Sequence, residues 1–139
     1  MSEVGLSIRD LDTPSLWVDL NALEQNVDDL AGYFRNAGIQ WRPHTKGIKV
    51  PAIAHQIVEA GAIGVTCAKV SEAEVMAAAG INDILIANQV VGPIKTERLA
   101  LLRRRVDVKV AVDSPANVAE LGRAAQAAGV EIGVVVEVD

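Results

Sequence analysis

A recurring punctuation mark constrains this chain more than any other feature. Ala37-Gly38-Ile39, Ala60-Gly61-Ala62, Ala79-Gly80-Ile81 and Ala128-Gly129-Val130 each set a glycine between a stretch of helical apolar spacing and an extended apolar run. Glycine just past a helix adopts the left-handed conformation without steric cost, so helices are expected to stop at these points. The apolar runs between them start near residues 15, 41, 63, 83, 107 and 132. The spacing predicts strands over 15–20, 41–46, 63–69, 83–89, 107–113 and 132–139, with Pro43 weakening the second. Helices are expected between them. Leu23, Val27, Leu30, Phe34 and Ala37 form a stripe over 21–37, and Ile53, Ala54, Ile57 and Val58 share a face over 51–60. Ser71 with Glu74 reads as a capping box, Gly92-Pro93 as a helix start, and Ser114-Pro115 as an N-cap and first helical residue. Leu99, Leu101 and Leu102 fall in the helix after Pro93, and the helix after Ser114 is expected to bury Val118, Leu121, Ala125 and Ala128.

Such alternation predicts an α/β fold, because a strand–helix–strand crossover lays the next strand parallel to the last. Two architectures suit six units. A doubly wound sheet for a nucleotide would carry a glycine-rich first turn, but residues 18–23 contain no glycine and no G-x-G-x-x-G or Walker pattern occurs. A parallel (β/α) TIM-type barrel is therefore favoured, here as an N-terminal fragment with about six of eight units, since a complete barrel takes roughly 250 residues.

Composition narrows the function classes. The chain has 139 residues, half of them hydrophobic and drawn mostly from Ala, Val, Ile and Leu, which suits one domain with helices packed on a buried parallel sheet. A net charge of −5 gives no reason to expect nucleic-acid or anionic-membrane binding. The one basic cluster, Arg103–Arg105, falls at a helix end, where cations meet the negative end of the dipole. Cys67 is the sole cysteine, so no intrachain disulfide is possible. There is no signal-like start and no membrane-length apolar run, so cytoplasmic localisation is the expectation.

Chemistry in a barrel sits at the C-terminal ends of the strands. Those ends hold Arg42, His44 and Lys46; Thr66 and Lys69; Asn88 and Gln89; Asp113; and Glu137 with Asp139. Most could equally be loop polarity; Asp113 beside Ser114 could simply favour a helix start. Residues 41–49 are denser, with two lysines, an arginine and a histidine where a buried strand should be apolar. A lysine near other cations and partly desolvated has its ammonium form disfavoured, and a neutral amine can form a Schiff base with an aldehyde. Alternation puts Arg42, His44 and Lys46 on one face of an extended segment. A solvated basic strand remains the other reading.

Arg42-Pro43-His44-Thr45-Lys46 resembles the cofactor-lysine motif of the D-threonine aldolase and D-serine dehydratase family, fold-type III pyridoxal-phosphate enzymes with an alanine-racemase-type barrel. The resemblance extends to Asp12-Thr13-Pro14, to residues 64–69 with Glu72-Ala73-Glu74, to residues 83–89, and to Glu137-Val138-Asp139. It implies that Lys46 anchors pyridoxal 5'-phosphate, that Arg42 and His44 line the same mouth, and that Thr66, Lys69, Asn88, Gln89 and Asp139 line the pocket. It implies a lyase acting on a β-hydroxy-D-amino acid, with aldol cleavage favoured over dehydratase-type elimination. A racemase or a non-catalytic cofactor-binding protein on the same barrel are the alternatives. In such families the divalent-metal ligands and a β-domain follow the barrel, so no metal ligand is expected within these residues, and the parent protein is expected to be a homodimer. Ile48 stands where the family often has a second histidine, which leaves the substrate open. Six of eight units would leave an open sheet edge and an uncovered interior, so the chain alone is expected to be inactive and to associate.

Overall fold

The computed structural model describes residues 5–138. A short 3₁₀ turn, Ile8–Asp10, precedes helix α1, Leu20–Ala37, and helix α2, Pro51–Glu59. Then come β1 (Val65–Cys67), α3 (Val70–Ala78), β2 (Asp83–Gln89), α4 (Pro93–Arg103), β3 (Asp107–Val112), α5 (Pro115–Ala128) and β4 (Gly133–Val136). The four strands form one parallel sheet in the order β1-β2-β3-β4. Consecutive order without reversal is what successive crossovers of one hand produce, and it lacks the switch point of a doubly wound sheet.

The parallel α/β class holds, but closure into a barrel is not seen among the described residues, and two of the expected six strands are missing. Residues 15–19 run without strand pairing; Leu16 is fully exposed and Trp17 is 63% exposed. A strand exists only against a neighbour's backbone, and this segment has none among the described residues. Residues 41–46 come closer. Ile63 N–H donates to Trp41 O at 3.1 Å, Thr66 N–H to Pro43 O at 2.8 Å, and Thr45 N–H to Thr66 O at 2.8 Å. They flank β1 in parallel, but only His44 registers as a bridge, opposite Thr66, and Pro43 has no N–H to extend the ladder.

The helix ends follow the sequence. Gly38, Gly61, Gly80 and Gly129 all have positive φ. The residue after each closes back on the helix, for example Ile39 N–H to Phe34 O and Val130 N–H to Ala125 O, both at 3.0 Å. Ser114 caps α5 by accepting from Asn117 N–H at 3.3 Å. The α3 start differs from expectation. The helix begins at Val70, so Ser71 lies inside it and no capping box forms. Glu74 instead pairs with Arg98 on α4, and Glu72 reaches back to Ala68 N–H at 2.8 Å. Two arginines of the basic cluster cap neighbouring segments: Arg103 donates to Glu131 O and Arg104 to Ala128 O at the end of α5.

One face of the sheet is buried under helices. Val65, Cys67, Ile84, Ile86, Val108, Val110 and Val112 are essentially inaccessible and pack with Val70, Met76, Leu99, Leu102 and Leu121. Each such aliphatic contributes about 1.5–3 kcal/mol, so this layer outweighs any single polar contact. Val118, expected inside, is about half exposed, and Ala125 and Ala128 are only partly buried, because Leu121 and Ala124 are the α5 positions that face the core. A second cluster joins α1 to α2 through Ala31, Trp41, Ile53, Ile57 and Ala62, with the Phe34 and Trp41 rings stacked at 5.4 Å.

The opposite face carries charge at the strand starts. Arg42 makes a two-pronged pair with Asp83 at 2.8 and 3.1 Å, and Lys109 Nζ bridges Asp83 at 3.0 Å and Asp107 at 2.6 Å. Glycines give these side chains room. A Cβ on Gly64 would lie 2.2 Å from Asp83 O and 2.5 Å from the Arg42 guanidinium, and one on Gly133 would lie 3.1 Å from Lys109. Burial alone would raise the Asp83 carboxyl, but hydrogen bonds from Arg42 and Lys109 hold it below the usual range.

Asp83→Asn is expected to cost about 1–2 kcal/mol at pH 7, between the values for exposed and buried pairs. A depressed carboxyl stabilises the fold above its unfolded value of about 3.9 and loses that contribution as pH falls through the folded value. The difference between wild type and variant should therefore shrink below about pH 4, which urea unfolding at pH 7 and at acid pH would measure. Gly64→Ala should be harsher still, because its Cβ meets backbone that a rotamer change cannot clear.

Candidate functional site

The C-terminal ends of the parallel strands, opposite the charge cluster, gather the polar groups. A turn over residues 45–49 leads away from the segment beside β1. Thr45 is buried, its hydroxyl donates to Thr66 O at 3.0 Å, and its carbonyl accepts from Ile48 N–H at 3.1 Å and Lys49 N–H at 2.8 Å. Lys49 has φ 57°, a left-handed conformation that costs a residue with a Cβ about 1–2 kcal/mol. Lys46 sits at the tip, exposed, and its side chain makes no ion pair among the described residues. Its backbone N–H donates to His44 Nδ1 at 3.1 Å. That bond makes Nδ1 an acceptor and leaves the ring proton on Nε2. Burial, and then the Lys46 ammonium, lower the His44 pKa below its ordinary value of 6.5, so the ring is neutral at neutral pH.

The expected trio of Arg42, His44 and Lys46 is thus split. His44 and Lys46 stay together. Arg42 lies at the other end of the strands, held by Asp83, and does not reach the mouth. Residues two apart share a face but sit about 6–7 Å apart along extended chain, so alternation fixes the face and not the level.

Thr66 is buried in the sheet, with its hydroxyl turned to Arg42 O at 3.4 Å. Lys69 is exposed immediately before α3. Near its end β2 shifts register, Ile86 facing Val110 while Gln89 faces Ala111. Such a bulge re-aims side chains, and here it sends two neighbours apart. Asn88 Nδ2 donates to Ala68 O at 3.2 Å, beyond β1, and Gln89 Nε2 donates to Glu137 Oε2 at 2.5 Å, beyond β4. Asp113 lies exposed before the α5 cap. Asp139, also expected in the pocket, lies outside the described residues.

Sequence reasoning gave no role to Lys49 and Glu72, which form an ion pair at 3.3 Å beside the Lys46 turn. The available signal was an acidic residue in the first turn of a helix. Burial would raise the Glu72 carboxyl, but Ala68 N–H and Lys49 bring it below the usual range. The remaining reactive types are structural. Cys67 is fully buried, and burial pushes its thiol up and keeps it protonated. His55 bonds Ala79 O at 2.8 Å at the end of α3. Among the described residues no group of three or more His, Cys, Asp or Glu could hold a metal ion, and no helix is long and apolar enough to cross a membrane.

Fold and mouth together define a parallel α/β domain that presents a lysine amine at the C-terminal ends of its strands. The chain belongs to the alanine racemase N-terminal domain family, whose model matches residues 18–139. This is a fold-type III, pyridoxal-phosphate-dependent family. The chain is 41% identical to a D-threonine aldolase of Arthrobacter sp., over 99% of its own length and 36% of that protein's. It is 40% identical to a 3-hydroxy-D-aspartate aldolase of Paracoccus denitrificans, over 97% of its length and 35% of the relative's. Among solved structures it is similar to D-threonine aldolase from Filomicrobium marinum, with a TM-score of 0.92 and 46% identity over 95% of this chain and 36% of that one. The chain spans about a third of these relatives. The donor set fits the family's cofactor at its aldehyde end: an exposed amine with no competing ion pair among the described residues, a neutral imidazole that accepts the backbone N–H of the same lysine, and two side-chain amides at the same mouth.

Removing the Lys46 charge should raise the His44 pKa partway towards 6.5, because burial persists. Proton NMR titration of wild type and Lys46→Ala would show it. A histidine lowered by folding contributes stability that is complete above about pH 6.5 and is lost as pH falls through the folded value. His44→Gln should therefore flatten acid destabilisation in that window.

Proposed function

We propose that the complete protein is a pyridoxal-phosphate-dependent lyase that cleaves a β-hydroxy-D-amino acid into glycine and an aldehyde. The observation that carries the reading is Lys46, exposed on a turn at the strand ends and joined to a neutral His44. The names of the two aldolase relatives support the choice of reaction. When bound, pyridoxal phosphate supplies an electron sink for negative charge at the substrate Cα.

The chain's own residues have definable parts. Lys46 holds the cofactor through Nζ, and as a free amine that nitrogen accepts and returns a proton. His44 keeps the turn in register by accepting the Lys46 backbone N–H, and its neutral state adds no second cation beside Nζ. Asn88 and Gln89 offer side-chain amides at the mouth, aimed in opposite directions by the β2 bulge. Arg42 serves from the far end, by tying the segment that bears Lys46 to β2 through Asp83.

A second reading has its own support. The chain is 33% identical to a D-threo-3-hydroxyaspartate dehydratase of Delftia sp., over 93% of its length and 34% of the relative's. Elimination would release ammonia in place of glycine.

Wild type and Lys46→Ala should be incubated with pyridoxal phosphate, reduced with borohydride and mapped by peptide mass spectrometry. A reduced adduct on Lys46 is expected, with none at that peptide in the variant; equal labelling of other lysines in both would sink the assignment. With D-threonine and D-threo-3-hydroxyaspartate as substrates, glycine formation is expected and should fall by at least about a thousandfold in Lys46→Ala, as for loss of a covalent catalytic group. Ammonia with no glycine would establish the dehydratase reading.

A further inference from the structure

The turn that carries Lys46 has little packing beneath it. A cleft of about 290 Å³ separates it from α3, lined by Thr45, Lys49, Lys69, Glu72, Val75 and Met76. Residues 46–50 are all exposed. The turn nonetheless holds Lys49 in a left-handed conformation that side chains rarely adopt, at φ 57°. Such a conformation persists only where its surroundings over-determine it. Here they are the two N–H bonds to Thr45 O and the reach of Lys49 Nζ to Glu72 Oε1 at 3.3 Å.

Glu72 is well placed for this task. Its side chain is only 11% exposed, and its two oxygens serve different segments. Oε1 meets Lys49 on the turn, and Oε2 accepts Ala68 N–H at 2.8 Å at the end of β1. Ala68 O in turn accepts from Asn88 Nδ2. One carboxylate thus joins the lysine turn, the β1 end and, through Ala68, the amide at the β2 bulge.

We propose that Lys49 and Glu72 are positioning residues: their pair ties the 45–49 turn to the start of α3 and so sets where Lys46 Nζ stands over the strand ends. The proposal rests on the reading of Lys46 as the cofactor anchor, but the tie itself can be tested without cofactor. Lys49→Met removes the ammonium and keeps the length of the side chain. Glu72→Gln keeps an oxygen for Ala68 N–H and removes the charge. Lys49→Arg restores a cation.

Hydrogen exchange of the Ile48 and Lys49 amides should be measured in the cofactor-free full-length protein. About three- to tenfold faster exchange is expected in Lys49→Met and Glu72→Gln, with recovery in Lys49→Arg, as suits one partly exposed ion pair. Absorbance titration with pyridoxal phosphate should show Kd raised by a similar factor, with thermal midpoints within a few degrees of wild type. Exchange equal to wild type in both variants overturns the tie. Faster exchange with unchanged Kd overturns the positioning role and leaves a local brace only. If wild type itself forms no adduct on Lys46, it is the functional reading that fails, and the exchange rates still decide the tie.

Discussion

Burial of one sheet face beneath the helices that connect its strands is the constraint from which the other features follow. Val65, Cys67, Ile84, Ile86, Val108 and Val110 lose all contact with water, and their strands must lie parallel because each connection is a helix on the same side. With that face committed, alternation sends Thr66, Leu85, Lys109 and their like to the other face. Parallel order also puts every strand's C-terminal end on one side. The mouth that gathers Lys46, Asn88, Gln89 and Glu137 is thus a by-product of packing.

Charge is divided between the two ends of the sheet. At the strand starts, Arg42, Asp83, Lys109 and Asp107 neutralise one another, with Gly64 and Gly133 making room. At the strand ends, the lysine at position 46 stays unpaired among the described residues while its neighbour at 49 is paired. The division separates a cation used for structure from an amine kept available. Glu72 works at the boundary, its charge offsetting a cation near the turn without contacting Lys46 itself.

Apolar side chains stand uncovered at two places in the fold. Val134, Val135 and Val136 on β4 are exposed, as are Leu16 and Trp17 ahead of α1. An apolar sheet edge of this kind favours pairing or association with another surface.

Sequence alone determined whatever depends on neighbours along the chain. Glycine stops, proline starts, the Ser114 cap and the strands from residue 63 onward were legible because propensity and periodicity are local. The Arg-Pro-His-Thr-Lys segment was legible because its polarity is out of place in a buried strand and matches a family motif. Tertiary structure decided the rest, and in each case a long-range partner was the reason. Asp83, 41 residues from Arg42, drew that arginine away from the mouth. Arg98 on α4 claimed Glu74, and α3 began at Val70 with Ser71 already inside it, so the expected Ser71–Glu74 capping box did not form. Residues 15–20 read as a strand, yet a strand is a relation between two backbones, and its sequence cannot supply the second.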